Sequence, residues 1–397
     1  MARFDSPMNG RNPRGRFVAT VGDSWLAQNF QTLIMQPTTL CNLDCGYCYL
    51  PQRHQRLLMS TDTASSVATA MEVLPGAGAP VSVVWHGGEP LATNQDTFRK
   101  LLEPFEPLRQ RRVIRHYVQT NATLINETWC DLLQAYDFAV GVSIDGPASH
   151  NLERVDRRGR PAFDRIERGM GVLRRRGIPF SLIAVITKQS IEHAASILDY
   201  LTMTGCWSIG FNIEEIEGDC IDVRERRSPE YQLAKTFWQS VISWDLANGR
   251  GVRIREVERL AHFHLAHREA SQLSPRRSMH DPIPTVAWDG SVTLLSPELA
   301  GFSDKRDGTF VAGNVSSKSL LDIVHDAHKL WYVEEFGEGV RRCKEKCRFF
   351  DYCLGGHASN KYFENGDLSS TETAHCRNSI QALVLAMSDL TEATEGE

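Results

Sequence analysis

Six short apolar runs alternate with helical patterns, and this alternation constrains the fold of the chain more than any other feature. The runs are 31–37, 80–86, 113–119, 138–144, 180–186 and 208–213; helices fit 60–71, 94–105, 126–135, 162–176 and 190–203 between them. Strand–helix alternation of this kind predicts an α/β fold with a parallel sheet and helices outside. In such folds ligand sites gather at the C-terminal ends of the strands. Every unusual residue group of the first half lies there. Cys41, Cys45 and Cys48 follow the first run, Gly87, Gly88 and Glu89 the second, and Asn121 the third. Ser143 and Asp145 end the fourth, and Asn212, Glu214 and Glu215 end the sixth.

The spacing Cys41-x3-Cys45-x2-Cys48 puts three thiols in eight residues. A loop that short brings three thiolates to one point, and iron–sulfur clusters are held by thiolates at such spacings. Three ligands leave one iron of a four-iron cluster open. A zinc site completed by His54 is the competing reading. A disulfide scaffold is not, because ten cysteines in 397 residues is sparse and seven of them fall in two tight groups. The second group is Cys343, Cys347, Cys353 and Cys376, enough thiolates to saturate one cluster. Cys130, Cys206 and Cys220 read as packing residues.

A formal net charge of −5 argues against a general nucleic-acid binder. No apolar run approaches the roughly 20 residues needed to span a bilayer, so no membrane association is expected. The polar start lacks the apolar core of a signal peptide, which reads as a cytoplasmic protein. Five segments are expected: a mobile arm (1–28), the strand–helix unit (29–224), a helical bridge (225–284), a region around the second cysteine group (285–380), and a helix end with an acidic tail (381–397). Within them, helices fit 229–248, 255–267 and 378–390. A polar linker is read at 272–281, and a hairpin at 285–295, where Asp289-Gly290 supplies the turn.

The cysteine loop with Tyr47 before its last cysteine, followed in order by Gly87-Gly88-Glu89-Pro90, Thr120-Asn121 and Ser143-Ile144-Asp145-Gly146-Pro147, resembles the radical S-adenosylmethionine (SAM) superfamily. The resemblance implies a partial (β/α)6 TIM barrel. It further implies a SAM-binding [4Fe-4S] cluster on Cys41, Cys45 and Cys48, with Tyr47, Gly87, Gly88, Glu89, Asn121, Ser143 and Arg154 around SAM. The segment His150 to Arg154 resembles a His-Asp-x-x-Arg stretch of peptide-modifying members, with Asn151 in place of Asp. The C-terminal part resembles the SPASM (twitch-like) extension of peptide maturases, which normally holds two auxiliary clusters on seven cysteines. Here two of the seven are missing before Cys343 and a third is His357. The four that remain, Cys343, Cys347, Cys353 and Cys376, imply a single auxiliary [4Fe-4S] cluster.

The phrases Cys45 to Arg53, Trp85 to Leu91, Asn212 to Gly218 and Asn360 to Gly366 resemble FxsB-type maturases, including three-residue cyclophane-forming enzymes. The implied reaction starts from a 5′-deoxyadenosyl radical that takes a Cβ hydrogen from a ribosomal precursor peptide, and ends in an aromatic-carbon to Cβ crosslink. An external one-electron reductant such as flavodoxin or ferredoxin would feed the cluster. Asp145, Glu214 and Glu215 are the candidate bases, with Glu217 and Asp219 nearby. The sulfatase-maturing branch uses a Gln-x-Asp at the sixth strand, where this chain reads Phe211-Asn212-Ile213. Epimerisation, thioether or ether crosslinking, and a non-catalytic iron–sulfur protein that carries electrons or binds peptide are the other readings.

Overall fold

The structure is a computed structural model that describes residues 25–74, 79–218, 228–248, 251–269 and 279–395. Most of the expected N-terminal arm and 272–281 linker, together with Asp219 and Cys220, lies outside the described residues.

Strands β1 (Thr32–Met35), β2 (Val81–Trp85), β3 (Ile114–Thr120), β4 (Ala139–Ser143), β5 (Phe180–Ile186) and β6 (Ser208–Ile213) pair in parallel in chain order. Burial alternates along β2, β3 and β5, as expected when one face packs on the core and the other stays partly open. Helices α1 (Thr61–Met71), α2 (Gln95–Leu102), α3 (Glu106–Gln110), α4 (Glu127–Ala135), α5 (Phe163–Arg175) and α6 (Ala194–Met203) fill the crossovers. Side chains cap three of them: Thr63 N donates to Ser60 Oγ at 3.1 Å, Asp96 N to Asn94 Oδ1 at 2.9 Å, and Trp129 N to Asn126 Oδ1 at 2.9 Å. The single helix expected over 94–105 is shorter. It ends at Leu102, because Pro104 and Pro107 lack the N–H that would continue the ladder, and α3 restarts after a tight turn.

The sheet runs on past both barrel edges. Beyond β6 comes β7 (Arg253–Ile254), which leads into α8 (Arg255–Glu269); the preceding bridge helix is α7 (Tyr231–Ala247). Beside β1 lies β8 (Thr285–Val286), also parallel, and β9 (Ser291–Thr293) returns antiparallel to it through the Asp289-Gly290 turn. A small separate hairpin, β10 (Ser303–Asp304) and β11 (Gly308–Thr309), precedes β12 (Val311–Asn314), which pairs with β9. The second cysteine region is thus joined to the barrel's first strand by backbone hydrogen bonds. Its remaining helices are α9 (Leu320–His325), α10 (Trp331–Lys346), α11 (Phe350–Cys353), α12 (Ala358–Asn365) and α13 (Ala382–Glu395).

Bridge helix α7 ties the two ends together. Trp238 Nε1 donates to the Asn378 carbonyl at 2.8 Å, Asn378 Nδ2 to the Pro229 carbonyl at 2.8 Å, and Lys235 pairs with Asp389 at 2.6 Å. Trp85, Phe98 and Phe105 form an edge-to-face aromatic group in the buried core. Cys130 and Cys206 are buried, as packing residues would be.

Candidate functional site

The cysteine loop leaves β1 and is tied down over the neighbouring strand ends. Cys41 N donates to the Arg53 carbonyl, Asp44 N to Val155 and Gly46 N to Glu153, at 2.9, 2.8 and 3.2 Å. Asn42 Nδ2 donates to Thr123 Oγ1 at 2.7 Å, and Arg157 Nη2 to the Cys41 carbonyl at 2.7 Å. The glycine pair after β2 is there for close approach. Gly88 holds φ +58°, and a Cβ on it would lie 2.5 Å from the Leu40 carbonyl oxygen and 2.7 Å from that of Thr39. Only bare backbone lets Glu89 N reach the Leu40 carbonyl at 2.8 Å.

Glu89 turns inward and is buried. Its Oε1 accepts from Leu91 N at 3.0 Å and Thr120 Oγ1 at 2.7 Å, and its Oε2 from Asn121 N at 2.7 Å. Burial lifts its carboxyl to about 7, with the three donors pulling the other way. Asn121 Nδ2 donates to Asn42 Oδ1 at 2.9 Å and stands 3.9 Å from Cys41 Sγ. Ser143, half-buried at the end of β4, accepts from Gln119 Nε2 at 2.8 Å. Glu89, Asn121 and the cysteine loop therefore share one rim.

Arg154 stands apart from the arginines around it. Arg157, Arg158 and Arg160 are exposed, whereas the Arg154 side chain is only 7% exposed and pairs with Asp145 at 2.9 Å. Its guanidinium lies 5.5 Å from the Tyr47 ring centroid. Tyr47 OH donates to Asp145 Oδ2 at 2.6 Å, and Val185 N to Asp145 Oδ1 at 2.9 Å. Both Asp145 oxygens are thus engaged by protein groups, so the carboxylate expected as a base is instead a clamp on Tyr47 and Arg154. Arg154 Nε is buried and has no protein partner, leaving one donor for a bound molecule.

Burial pushes the Cys45 thiol up to about 12, against the nearby Arg154 charge, and raises Cys41 and Cys48 as well. Thiols that resist ionising alone suit a cationic metal core that replaces their protons. The zinc tetrahedron with His54 is not assembled, since His54 is half exposed and faces Asp44 at 3.6 Å. A zinc ion needs all four donors near 2.3 Å or less from one point. Among the described residues no group of three or more His, Cys, Asp or Glu side chains is placed to hold a single ion. A four-iron core is wider and takes thiolates that stand further apart.

Cys343, Cys347, Cys353 and Cys376 line one enclosed space with His357, Lys361 and His375. Cys343 lies in the last turn of α10, Cys353 ends α11, and Cys376 opens a π-helical turn, Cys376–Gln381, that leads into α13. Widened turns of this type recur at functional sites. Gln381 Nε2 lies 3.5 Å from Cys376 Sγ. All nine described cysteines are free thiols, and four of them meeting in one space fit a fully ligated cluster.

Between the two cysteine groups lies a cluster of acids. Asn360, on α12, donates through Nδ2 to Glu215 at 2.6 Å and Glu217 at 2.9 Å. His375 Nδ1 stands 3.1 Å from Glu215. Burial would raise Glu215, but His375 overrides it and holds the carboxyl down at about 2. Glu217 is driven up by burial and by Glu215. Burial also lifts Glu298 to about 7, and its charge acts on Tyr49, next to Cys48. Tyr49 OH contacts His86 Nε2 at 2.9 Å. Glu214 closes the strand ends through its backbone, donating to the Ile186 carbonyl at 2.8 Å. Glu298 was not expected from the sequence; the only local signal is its place just after the hairpin.

Residues 35–201 match the family model described as the radical SAM superfamily. The chain is 32% identical to an uncharacterized protein of Synechocystis, over 88% of this chain and 89% of that one. It is 30% identical to the cysteine-type anaerobic sulfatase-maturating enzyme of Clostridium perfringens, over 82% and 88% of the two chains. Among solved structures, native anSMEcpe with bound AdoMet and Cp18Cys peptide has a TM-score of 0.70 at 23% identity, covering 92% of this chain and 99% of that one. Streptococcus suis SuiB bound to precursor peptide SuiA has a TM-score of 0.64 at 18% identity, covering 88% and 76%. These structural likenesses establish the fold, partial barrel and C-terminal extension together.

Proposed function

The chain belongs to the radical SAM superfamily, an enzyme family built on SAM and iron–sulfur chemistry, and from that premise we propose that it is a peptide maturase. Its substrate would be a ribosomal precursor peptide, and its product an aromatic-carbon to Cβ crosslink. Cys41, Cys45 and Cys48 would hold a four-iron cluster which, with SAM bound, would supply the radical chemistry. Cys343, Cys347, Cys353 and Cys376 would hold a second cluster, which would supply one-electron capacity beside the acid cluster. The single observation that carries this reading is the pairing of a three-thiol and a four-thiol site on one chain, with buried carboxyls between them.

The protein's own groups would act as follows. Gly87 and Gly88 keep the backbone low over the cysteine loop, and Glu89 and Asn121 line the rim beside Cys41. Ser143 ends the neighbouring strand, and the spare Nε of Arg154 suits the carboxylate of SAM's methionine portion. Tyr47, fixed by Asp145, sets its ring 5.5 Å from the Arg154 guanidinium.

Crosslinking removes one hydrogen atom from Cβ and then one electron and one proton from the ring. Glu298 is the favoured proton acceptor, because a base titrating near 7 combines an available ionised form with useful basicity. Glu215 is a weaker choice, already anionic and engaged by His375 and Asn360.

Sequence likeness to a sulfatase-maturating enzyme and fold likeness to SuiB support a peptide substrate. The FxsB-like phrases favour crosslinking over the sulfatase reaction. At the place of that branch's acid stands Ile213, an apolar side chain only 2% exposed that cannot take a proton. Cys130 and Cys206 are packed in the core, away from a role as the thiol donor that an epimerase needs. The free thiols support a reducing, cytoplasmic setting with a flavodoxin- or ferredoxin-type reductant. Among the described residues no helix is long and apolar enough to cross a membrane.

The test is anaerobic reconstitution with iron, sulfide, reductant, SAM and a precursor peptide encoded beside the gene. Formation of 5′-deoxyadenosine with loss of two hydrogens per crosslink is expected. SAM cleavage with the peptide mass unchanged, or changed by any other amount, refutes the crosslinking assignment.

A further inference from the structure

Lys361, on α12, is 2% exposed. Its Nζ stands 3.8 Å from Cys343 Sγ and 5.1 Å from the Phe336 ring centroid. It lines the same space as the four cysteines; burial disfavours its ammonium, and charge on Cys343, Cys353 and Cys376 would act to keep it. Among the described residues no carboxylate forms an ion pair with it. Space for it is built into the facing helix: a Cβ on Gly339 of α10 would lie 2.7 Å from Nζ and 2.5 Å from the Leu368 carbonyl oxygen. A buried ammonium is costly unless an anion faces it. The thiolates are the anions the fold supplies.

We infer that Lys361 tunes the four-cysteine iron–sulfur site, its positive charge offsetting thiolate charge and raising the reduction potential of the cluster held there. Cluster potentials respond to net charge and to hydrogen bonds at the sulfurs, and Lys361 delivers both at Cys343. A cation in this place makes the site a readier one-electron acceptor. The inference rests on the reading that Cys343, Cys347, Cys353 and Cys376 hold a cluster.

The experiment is a redox titration of the reconstituted full-length enzyme, followed by electron paramagnetic resonance with and without SAM. The signal that SAM does not perturb reports the four-cysteine site. In K361M, the oxidised-to-reduced ratio of that site at the wild-type midpoint should rise at least tenfold, a fall of 59 mV or more for one electron. The SAM-responsive signal should keep its midpoint, and K361R should recover most of the shift. A wild-type midpoint in K361M with full iron content overturns the inference. If K361M and K361Q lose the cluster, K361R decides: a loaded site with a wild-type midpoint supports a charge role, and loss there too overturns it. A wild-type enzyme with only the SAM-responsive signal sinks the four-cysteine cluster itself, a separate and distinguishable failure.

Discussion

Replacing Arg154 by Met strands Asp145 without its cation. The two side chains are 7% and 1% exposed and meet at 2.9 Å, so neither has water to fall back on. Breaking a buried pair by removing one partner costs about 3–5 kcal/mol. Asp145 keeps Tyr47 OH at 2.6 Å and Val185 N at 2.9 Å, and hydrogen bonds to a charged group contribute about 1.5–3 kcal/mol each. Those two donors hold the loss to the lower end, about 3 kcal/mol, or roughly a hundredfold in the unfolding constant. D145N should cost a similar amount, because it leaves the guanidinium buried. The double variant should lose less than the sum by about 1–3 kcal/mol, the coupling of groups in contact. Urea denaturation of the apo protein, followed by tryptophan fluorescence across the four variants, measures this. Single losses below about 1 kcal/mol, or additivity within about 0.5 kcal/mol, would refute the clamp. Since Tyr47 is anchored through Asp145, R154M should also weaken SAM binding by the reconstituted enzyme.

Three further outcomes are expected. G88A forces a Cβ into a residue at φ +58° and against two carbonyl oxygens at 2.5 and 2.7 Å. The backbone strain alone costs about 1–2 kcal/mol, so G88A should be less stable by at least that and bind SAM more weakly; unchanged stability would deny the close approach. C353A should lower the iron content by about four per chain while SAM cleavage without crosslinking persists, and an unchanged iron count rules out the four-cysteine cluster. Glu298 titrates near 7 rather than in the usual carboxylate range because burial disfavours its ionised form. A base must be ionised, so crosslinks formed per SAM cleaved should fall as pH drops from about 8 to about 6. E298Q should make 5′-deoxyadenosine but little product at any pH, and a wild-type pH profile in that variant would move the role elsewhere.

Much of the site could be read locally. The cysteine loop, the glycine pair and Asn121 announce themselves by spacing and by following apolar runs, and all three sit on one rim. Arg154 could not be picked from its arginine-rich neighbourhood by pattern. Only the packing buries it while Arg157, Arg158 and Arg160 stay in water. Asp145 shows the reverse: a carboxylate at a strand end reads as a base, and only its contacts reveal that its oxygens are engaged. The helix expected over 94–105 stops at Leu102: its apolar pattern continues through Pro104, whereas the backbone ladder does not.

What the sequence determined by itself is what depends on near neighbours: strand and helix periodicity, caps, turn chemistry, and cysteine ligands a few residues apart. The tertiary structure decided what depends on burial and on partners far along the chain. It joins β8 to β1 across some 250 residues, and gathers Glu215, Glu217, Glu298 and His375 from three separate segments. It also sets Lys361 against Cys343. The physical reason is that a side chain's charge state and reactivity come from its desolvation and its neighbours. Neither is written into the residues that flank it.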